Sequence, residues 1–248
     1  MDSSYAEKTF ADPNPLKRFA HRRRLRDALG LITTSHEPRR VLDFGAGNGE
    51  LLKRAVEIWP GAELMCYEPD AGRMNQAREH LAGVPGVSFL DSTDQLSGIR
   101  ADTIFCLEVF EHLPEPESDE AFGHMRRLLG ATGQAVISVP IETGLPALVK
   151  GLFRMMRRYG EFDAQARRIA RAVLARPVSG RPRVRLESGS DYYLHHLGFD
   201  HREFERKLAT RFRILKHCCS PMGVFGPALN FEISYLIESR DEDGPTPT

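Results

Sequence analysis

The chain lacks any excess of charge. Its 248 residues carry 34 Lys and Arg against 34 Asp and Glu. A neutral balance sets aside the global footprint of a nucleic-acid-binding protein. Cysteine is scarce: Cys66, Cys106, Cys218 and Cys219, with no C-x-x-C pair. All four sit in apolar, strand-like runs. They read as reduced core thiols, and the expected compartment is the cytoplasm. No apolar run approaches the length of a membrane span. Residues 1–10 are polar and lack the apolar core of a signal peptide. No internal repeat is visible, which excludes solenoids and propellers.

What is present is enough for one α/β domain with an insertion. The apolar fraction is 41%, and this length suits a single core better than two. The organising stretch is Arg40-Val41-Leu42-Asp43-Phe44-Gly45-Ala46-Gly47-Asn48-Gly49-Glu50. A short apolar run is followed by glycines at every second position, then by the helix-forming Leu51-Leu52-Lys53-Arg54-Ala55. This reads as strand, tight loop, helix. Glycines let the backbone turn sharply and let a ligand approach closely. In an open α/β sheet such a loop lies at the carboxyl end of a strand, where ligands bind. A dinucleotide site needs G-x-G-x-x-G. Here the last position is Glu50, which would repel a pyrophosphate, so a nicotinamide oxidoreductase is disfavoured.

From Val41 onward strand and helix alternate, which implies a parallel sheet. The expected strands are Val41–Phe44, Glu63–Tyr67, Val87–Leu90, Thr103–Leu107 and Gln134–Val139. The expected helices are Leu51–Trp59, a run capped by Asp70 and ending near Leu81, and Ser118–Leu129. A helix near Phe204–Thr210 and strands Phe212–Cys219 and Phe231–Glu238 close the chain. Ahead of the sheet, Pro15 opens a helix to about Ile32, apolar at Leu25, Ala28, Leu29 and Ile32. Its other face is basic, with Lys17, Arg18, His21, Arg22, Arg23, Arg24 and Arg26. That face reads as a solvated surface on a helix covering the site.

The G-x-G-x-G loop, with Asp43 before it, resembles motif I of the class I S-adenosylmethionine-dependent methyltransferases. The resemblance implies a doubly wound, Rossmann-like sheet of seven strands whose last strand enters antiparallel. It places an N-terminal segment and cap helix at 1–37, the methyltransferase domain at 38–239 and a disordered tail at 240–248. S-adenosyl-L-methionine would be the cofactor. Asp43, Gly45, Ala46 and Gly47 would line it, Asp43 facing the cationic methionine end. Glu68 ends the second strand, where a carboxylate can accept from both ribose hydroxyls, with Pro69 beside it. Asp91 or Ser92 would contact the adenine amine, and Leu107 and Glu108 would lie beside the methionine end.

The stretch Glu108-Val109-Phe110-Glu111-His112 resembles the E-V-x-E-H segment of the ubiquinone-biosynthesis O-methyltransferases and their relatives. Two readings stand side by side. In one, His112 and a distal histidine position the acceptor or take its proton. In the other, Glu108, Glu111, His112 and His195 bind Mg²⁺ or Mn²⁺. In that group, and in small-RNA 3′-end ribose methyltransferases, such a set holds a metal that binds a vicinal diol or catechol. Counting back from Glu203 and Phe204 favours His195 over His196. Residues 128–140 resemble the family's L-K-P-G-G-x-L-V-I-S-x-P, with Ala131 and Thr132 replacing Lys-Pro. Oxygen is the preferred acceptor atom.

Residues 141–190 fall outside the resemblance and carry no clear strand signal. They read as a basic, helical insertion over the strand ends. Leu148, Leu152, Met155, Met156 and Tyr159 share a helical face, flanked by Lys150, Arg154, Arg157 and Arg158. Such a segment suits a lid, a clasp for a phosphorylated or lipid-linked acceptor, or peripheral contact with an anionic membrane. RNA ranks lowest, since no aromatic platform accompanies the arginines. A non-catalytic cofactor-binding protein is the remaining alternative. The acceptor itself is not legible.

Overall fold

The computed structural model describes residues 15–32, 37–186 and 189–240. Expectations for residues 1–14 and 241–248 lie outside them. Helix α1 (Pro15–Leu29) is followed by β1 (Arg40–Phe44), α2 (Glu50–Ile58), β2 (Glu63–Tyr67), α3 (Ala71–His80) and β3 (Val87–Leu90). Then come β4 (Ala101–Leu107), α4 (Glu115–Leu128) and β5 (Leu129–Pro140). The insertion holds α5 (Gly144–Arg158), α6 (Ala166–Val173) and β6 (Arg183–Arg185), followed by β7 (Asp191–Tyr193). Helix α7 (His201–Arg211) and strands β8 (Phe212–Ser220) and β9 (Glu232–Ser239) finish the fold.

Seven strands form one sheet in the order β3-β2-β1-β4-β5-β9-β8. The strands from β3 to β5 pair in parallel, and β9 runs antiparallel to both β5 and β8. Successive side chains on a strand point to opposite faces, and here both faces are covered. Leu42, Ile104 and Ile137 join Phe122 and Phe204 on one side. Val41, Phe105 and Val136 join Leu25, Leu29 and Leu52 on the other. Helix α1 is therefore part of the second core. Helix α4 starts ahead of the expected Ser118, because Pro116 sits in its first turn, where a missing N–H loses no partner.

The insertion departs from expectation in two ways. It contributes a strand, since β6 pairs antiparallel with β7. It also has a small core of its own, built from Ala147, Phe162, Ile169, Ala172, Val178 and Leu197. A Cβ at Gly151 would stand 2.5 Å from Ile169 Cγ2, so α5 and α6 approach closely only through that glycine. All four cysteines are free, and all but Cys218 are buried. Among the described residues no helix is long and apolar enough to cross a membrane.

Candidate active site

The turn after β1 is tied to β2: the N–H groups of Gly45 and Ala46 donate to Tyr67 O at 2.8 and 2.9 Å. Gly45, Gly47 and Gly49 have φ of 81°, 57° and 77°, the left-handed region that favours glycine. Their surroundings separate their roles. A Cβ on Gly45 would lie 2.6 Å from Val109 Cγ2, and one on Gly49 2.6 Å from Leu81 Cδ1. At Gly47 nothing lies within 4 Å. Two of the three glycines permit packing, and only Gly47 opens onto space.

That space is a cavity of about 320 Å³, lined by Asp43, Gly45, Ala46, Gly47, Leu107 and Glu108 among others. Asp43 is buried, and burial, then the charge of Glu68, push its pKa up to about 8. Glu68 lies behind the loop. It accepts from Gly47 N at 2.8 Å and from Asp70 N at 3.0 Å, and it does not line the cavity. Burial raises its pKa, partly offset by these bonds and by Arg73. Arg73 and Tyr192 do line the cavity, and they interact with each other across it. Pro69, Asp91 and Ser92 stand outside; the last two donate their N–H groups to Gln95 Oε1.

A second cavity of about 410 Å³ adjoins the first. His21, Arg24, Glu108 and His196 line both. Arg24 is the bridge: Nη1 lies 3.2 Å from Glu108 Oε2, and Nε lies 3.1 Å from Glu232 Oε2. Glu108 has a φ of 56°, rare outside glycine, and strain of that kind clusters where function fixes the backbone. The Oε1 atoms of Glu108 and Glu232 are buried without a hydrogen-bond partner. Burial pushes Glu232 up to about 8. The cations around this chamber are engaged. Lys150 Nζ donates to Glu142 Oε1 at 2.9 Å, and Arg154 grips the same carboxylate through both terminal nitrogens.

At the junction the turn after β4 brings Glu111 and His112 to His196. The three offer ligand atoms within 4.8 Å of one another. His112 Nδ1 donates to Tyr193 O at 2.7 Å, which leaves Nε2 as an acceptor facing the cluster. The His112 ring stacks on Tyr192 at 4.4 Å. Burial holds His112 down to about 4 and His196 well below its ordinary value, so both are neutral. Glu111 is buried, both its oxygens are unpartnered, and burial, then Glu108, raise its pKa. Two neutral imidazoles and a carboxylate with idle oxygens fit a divalent cation such as Mg²⁺ or Mn²⁺.

The expected metal set differs from this arrangement at two positions. Glu108 is held by Arg24 and is not among the clustered residues. His195 points to Asp163, with Nδ1 at 3.5 Å, and stacks on Phe162. Asp163 also receives Arg154 and Arg158, whose charges leave little reason for a cation there. His195 and His196 lie in the loop after β7, where adjacent side chains turn to different partners, so a count of residues could not choose between them. The sequence reading also passed over Arg73, Glu142, Tyr192 and Glu232. Glu232 carried a signal: it is a carboxylate opening a strand with an apolar stretch at Tyr235, Leu236 and Ile237. Arg24 carried none among so many arginines.

A family model described as a methyltransferase domain matches residues 16–181. The chain belongs to the methyltransferase domain family. Among relatives, a trans-aconitate 2-methyltransferase of Rhodopseudomonas palustris (strain BisA53) is 31% identical over 48% of this chain and 44% of its own. A malonyl-[acyl-carrier protein] O-methyltransferase of Geobacter sulfurreducens is 30% identical over 42% of this chain and 39% of its own. The chain thus spans less than half the length of each of these two relatives. Neither is a ubiquinone O-methyltransferase. The magnesium protoporphyrin IX methyltransferase of Synechocystis PCC 6803, solved with bound S-adenosylhomocysteine, shares the fold. Its TM-score is 0.59 at 16% identity, over 94% of this chain and 92% of that one.

Proposed function

We propose that the protein is an S-adenosylmethionine-dependent O-methyltransferase whose acceptor presents a hydroxyl group in the second cavity. The observation that carries this reading is the pair of adjoining cavities joined at Arg24, Glu108 and His196. Asp43 and the open Gly47 suit the first cavity to a ligand with a cationic end, and Glu68 supports the loop from behind. The chemistry the cofactor supplies when bound is an electrophilic methyl group on a cationic sulfur. What the chain must add is alignment of a nucleophile and a place for its proton. Glu108 keeps one oxygen without a hydrogen-bond partner beside the chamber, and the neutral His112 and His196 stand at its edge as further proton acceptors.

Trans-aconitate and malonyl groups, named in the relatives, are carboxylates. An anionic acceptor needs an unengaged cation, and Lys150, Arg154 and Arg24 are all committed to Glu142, Glu108 and Glu232. This favours a hydroxyl acceptor. If Glu111, His112 and His196 hold Mg²⁺ or Mn²⁺, the ion would lower the pKa of a hydroxyl on a vicinal diol or catechol. The exposed apolar side chain of Phe231 borders the second cavity, which suits a lipid-linked acceptor as well as a small one. The test has two arms. Calorimetry should give micromolar-range S-adenosylhomocysteine binding, weakened by about 1–3 kcal/mol in Glu68→Ala. Turnover assays should then favour catechols over trans-aconitate. Absence of cofactor binding rejects the whole reading, and preference for trans-aconitate rejects the hydroxyl acceptor.

A further inference from the structure

Helix α5 is amphipathic in the opposite sense from a core helix. Its inward side is made of small residues and cations: Pro146, Ala147 and Gly151 are buried, while Lys150 and Arg154 bind the buried Glu142. Arg158 turns to Asp163. The outward side carries Leu145, Leu148, Leu152, Phe153, Met156 and Tyr159, and Met156 and Tyr159 are each 81% exposed. A surface helix of a globular protein ordinarily hides such residues.

A second apolar segment adjoins it. Lys150 Nζ donates to Phe231 O at 3.0 Å, which links α5 to the loop at 222–231. Met222, Val224, Phe225 and Leu229 are exposed there, Val224 at 97%. The loop is built rather than frayed. Buried Asn230 donates to Met222 O at 2.8 Å and Gly226 O at 2.7 Å, and it accepts from Met222 N at 2.5 Å. Residues 143–160 contain no acid, and residues 221–231 contain no charge of either sign. The exposed charges nearby are mostly arginines, Arg157 and Arg158 on α5, Arg167 and Arg171 on α6 and Arg176 after it, while the exposed Glu161 is paired with Arg158.

We propose that the outward face of α5 and the 222–229 loop form one surface that seats in the interface of an anionic phospholipid bilayer. Apolar side chains would enter the acyl boundary while arginines meet headgroup phosphates, the composition that interfacial binding needs. Lys150, Pro221 and Phe231 line the second cavity, so that cavity would open beside the bilayer. A face-to-face pair of this chain would set arginines of like sign against each other, which disfavours a second copy as the occupant. Of the arginines flanking the apolar stripe, Arg154 turns inward to Glu142 and Asp163 and Arg158 is tied to Asp163 and Glu161, which leaves Arg157 exposed beside the apolar residues that would make the contact.

The test is co-sedimentation of the full chain with phosphatidylcholine vesicles, with and without phosphatidylglycerol. The protein should pellet with the mixed vesicles only. Met156→Asp with Val224→Asp should bring pelleting down to the neutral-vesicle level while S-adenosylhomocysteine affinity stays unchanged, because both side chains are solvent-exposed. Phe225→Trp keeps the surface apolar and adds a second indole to that of Trp59, the one tryptophan of the chain. The emission of this variant should shift to the blue when mixed vesicles are added, by more than that of the parent. Pelleting that survives the double aspartate variant, or a Phe225→Trp variant whose emission ignores vesicles, overturns the proposal. So does absence of pelleting with a variant-sensitive dimer in sedimentation velocity, which would assign the face to a second copy.

Discussion

His112 and His196 meet through their Nε2 atoms at 3.1 Å, with Glu111 Oε1 3.8 Å from each. Two imidazole nitrogens can share one proton or one cation, and the idle Glu111 oxygens favour the cation. Mn²⁺ titration followed by calorimetry should therefore show binding to the wild type. His196→Ala should weaken it by about tenfold or more, the scale on which even outer partners of metal ligands act. His195→Ala should leave it intact. Equal losses in the two variants would rule out this ligand set, and no wild-type binding would leave the histidines as proton-handling groups.

Asp43 sets a pH dependence on stability. Its folded pKa of about 8 stands above the ordinary 3.8. Between those values the folded chain holds a proton the unfolded chain has released, so stability falls as pH rises. Buried histidines oppose this below 6.5: His112, held to about 4, favours folding as pH climbs towards that value. Above 6.5 only the acids act, Glu232 included at about 8. Denaturant midpoints of the apo-protein should drop from pH 6.5 to 8. Asp43→Asn should reduce that slope by up to about 1.4 kcal/mol per pH unit. Identical slopes in both proteins would remove Asp43 from the account.

The glycines of the loop should separate under mutation. Gly45→Ala combines a left-handed backbone with a methyl 2.6 Å from Val109. It should lower stability well beyond the ~1–2 kcal/mol of the backbone alone. Gly47→Ala meets open space and should cost about the backbone figure only, with its larger effect on ligand affinity. Thermal melts and calorimetry on both variants check this, and a reversed ranking in the melts would contradict the packing role of Gly45.

Glu142 is the anchor of α5. It is buried and takes both Lys150 and Arg154, and although burial opposes its ionisation these cations hold its pKa far below the ordinary range. Removing one partner of a buried ion pair leaves the others uncompensated, at a scale of about 3–5 kcal/mol. Glu142→Gln should show a loss of that order in urea unfolding. A change within about 0.5 kcal/mol, typical of surface sites, would mean that water reaches the network.

Much of the frame was determined by the sequence alone. Strands at 63–67 and 87–90 match in both bounds, since short apolar runs between turn signals leave few alternatives. Asp70 caps α3, accepting from Arg73 N at 2.8 Å, as a local bond between near neighbours can be read from spacing. Asp43, Gly45 and Gly47 line one cavity because a single strand and its loop carry them, whereas Glu68, expected to face the same ligand, lies behind that loop. What only the tertiary structure decided involves long separations. Arg24 reaches Glu232 from the other end of the chain, and no periodicity encodes that contact. The face of α5 was legible as a stripe, but which side it turns outward depends on Glu142 and Asp163. Buried carboxylates that draw the cations inward outweigh the usual preference to bury leucine and methionine, because an unpaired buried charge is costlier than an exposed apolar side chain.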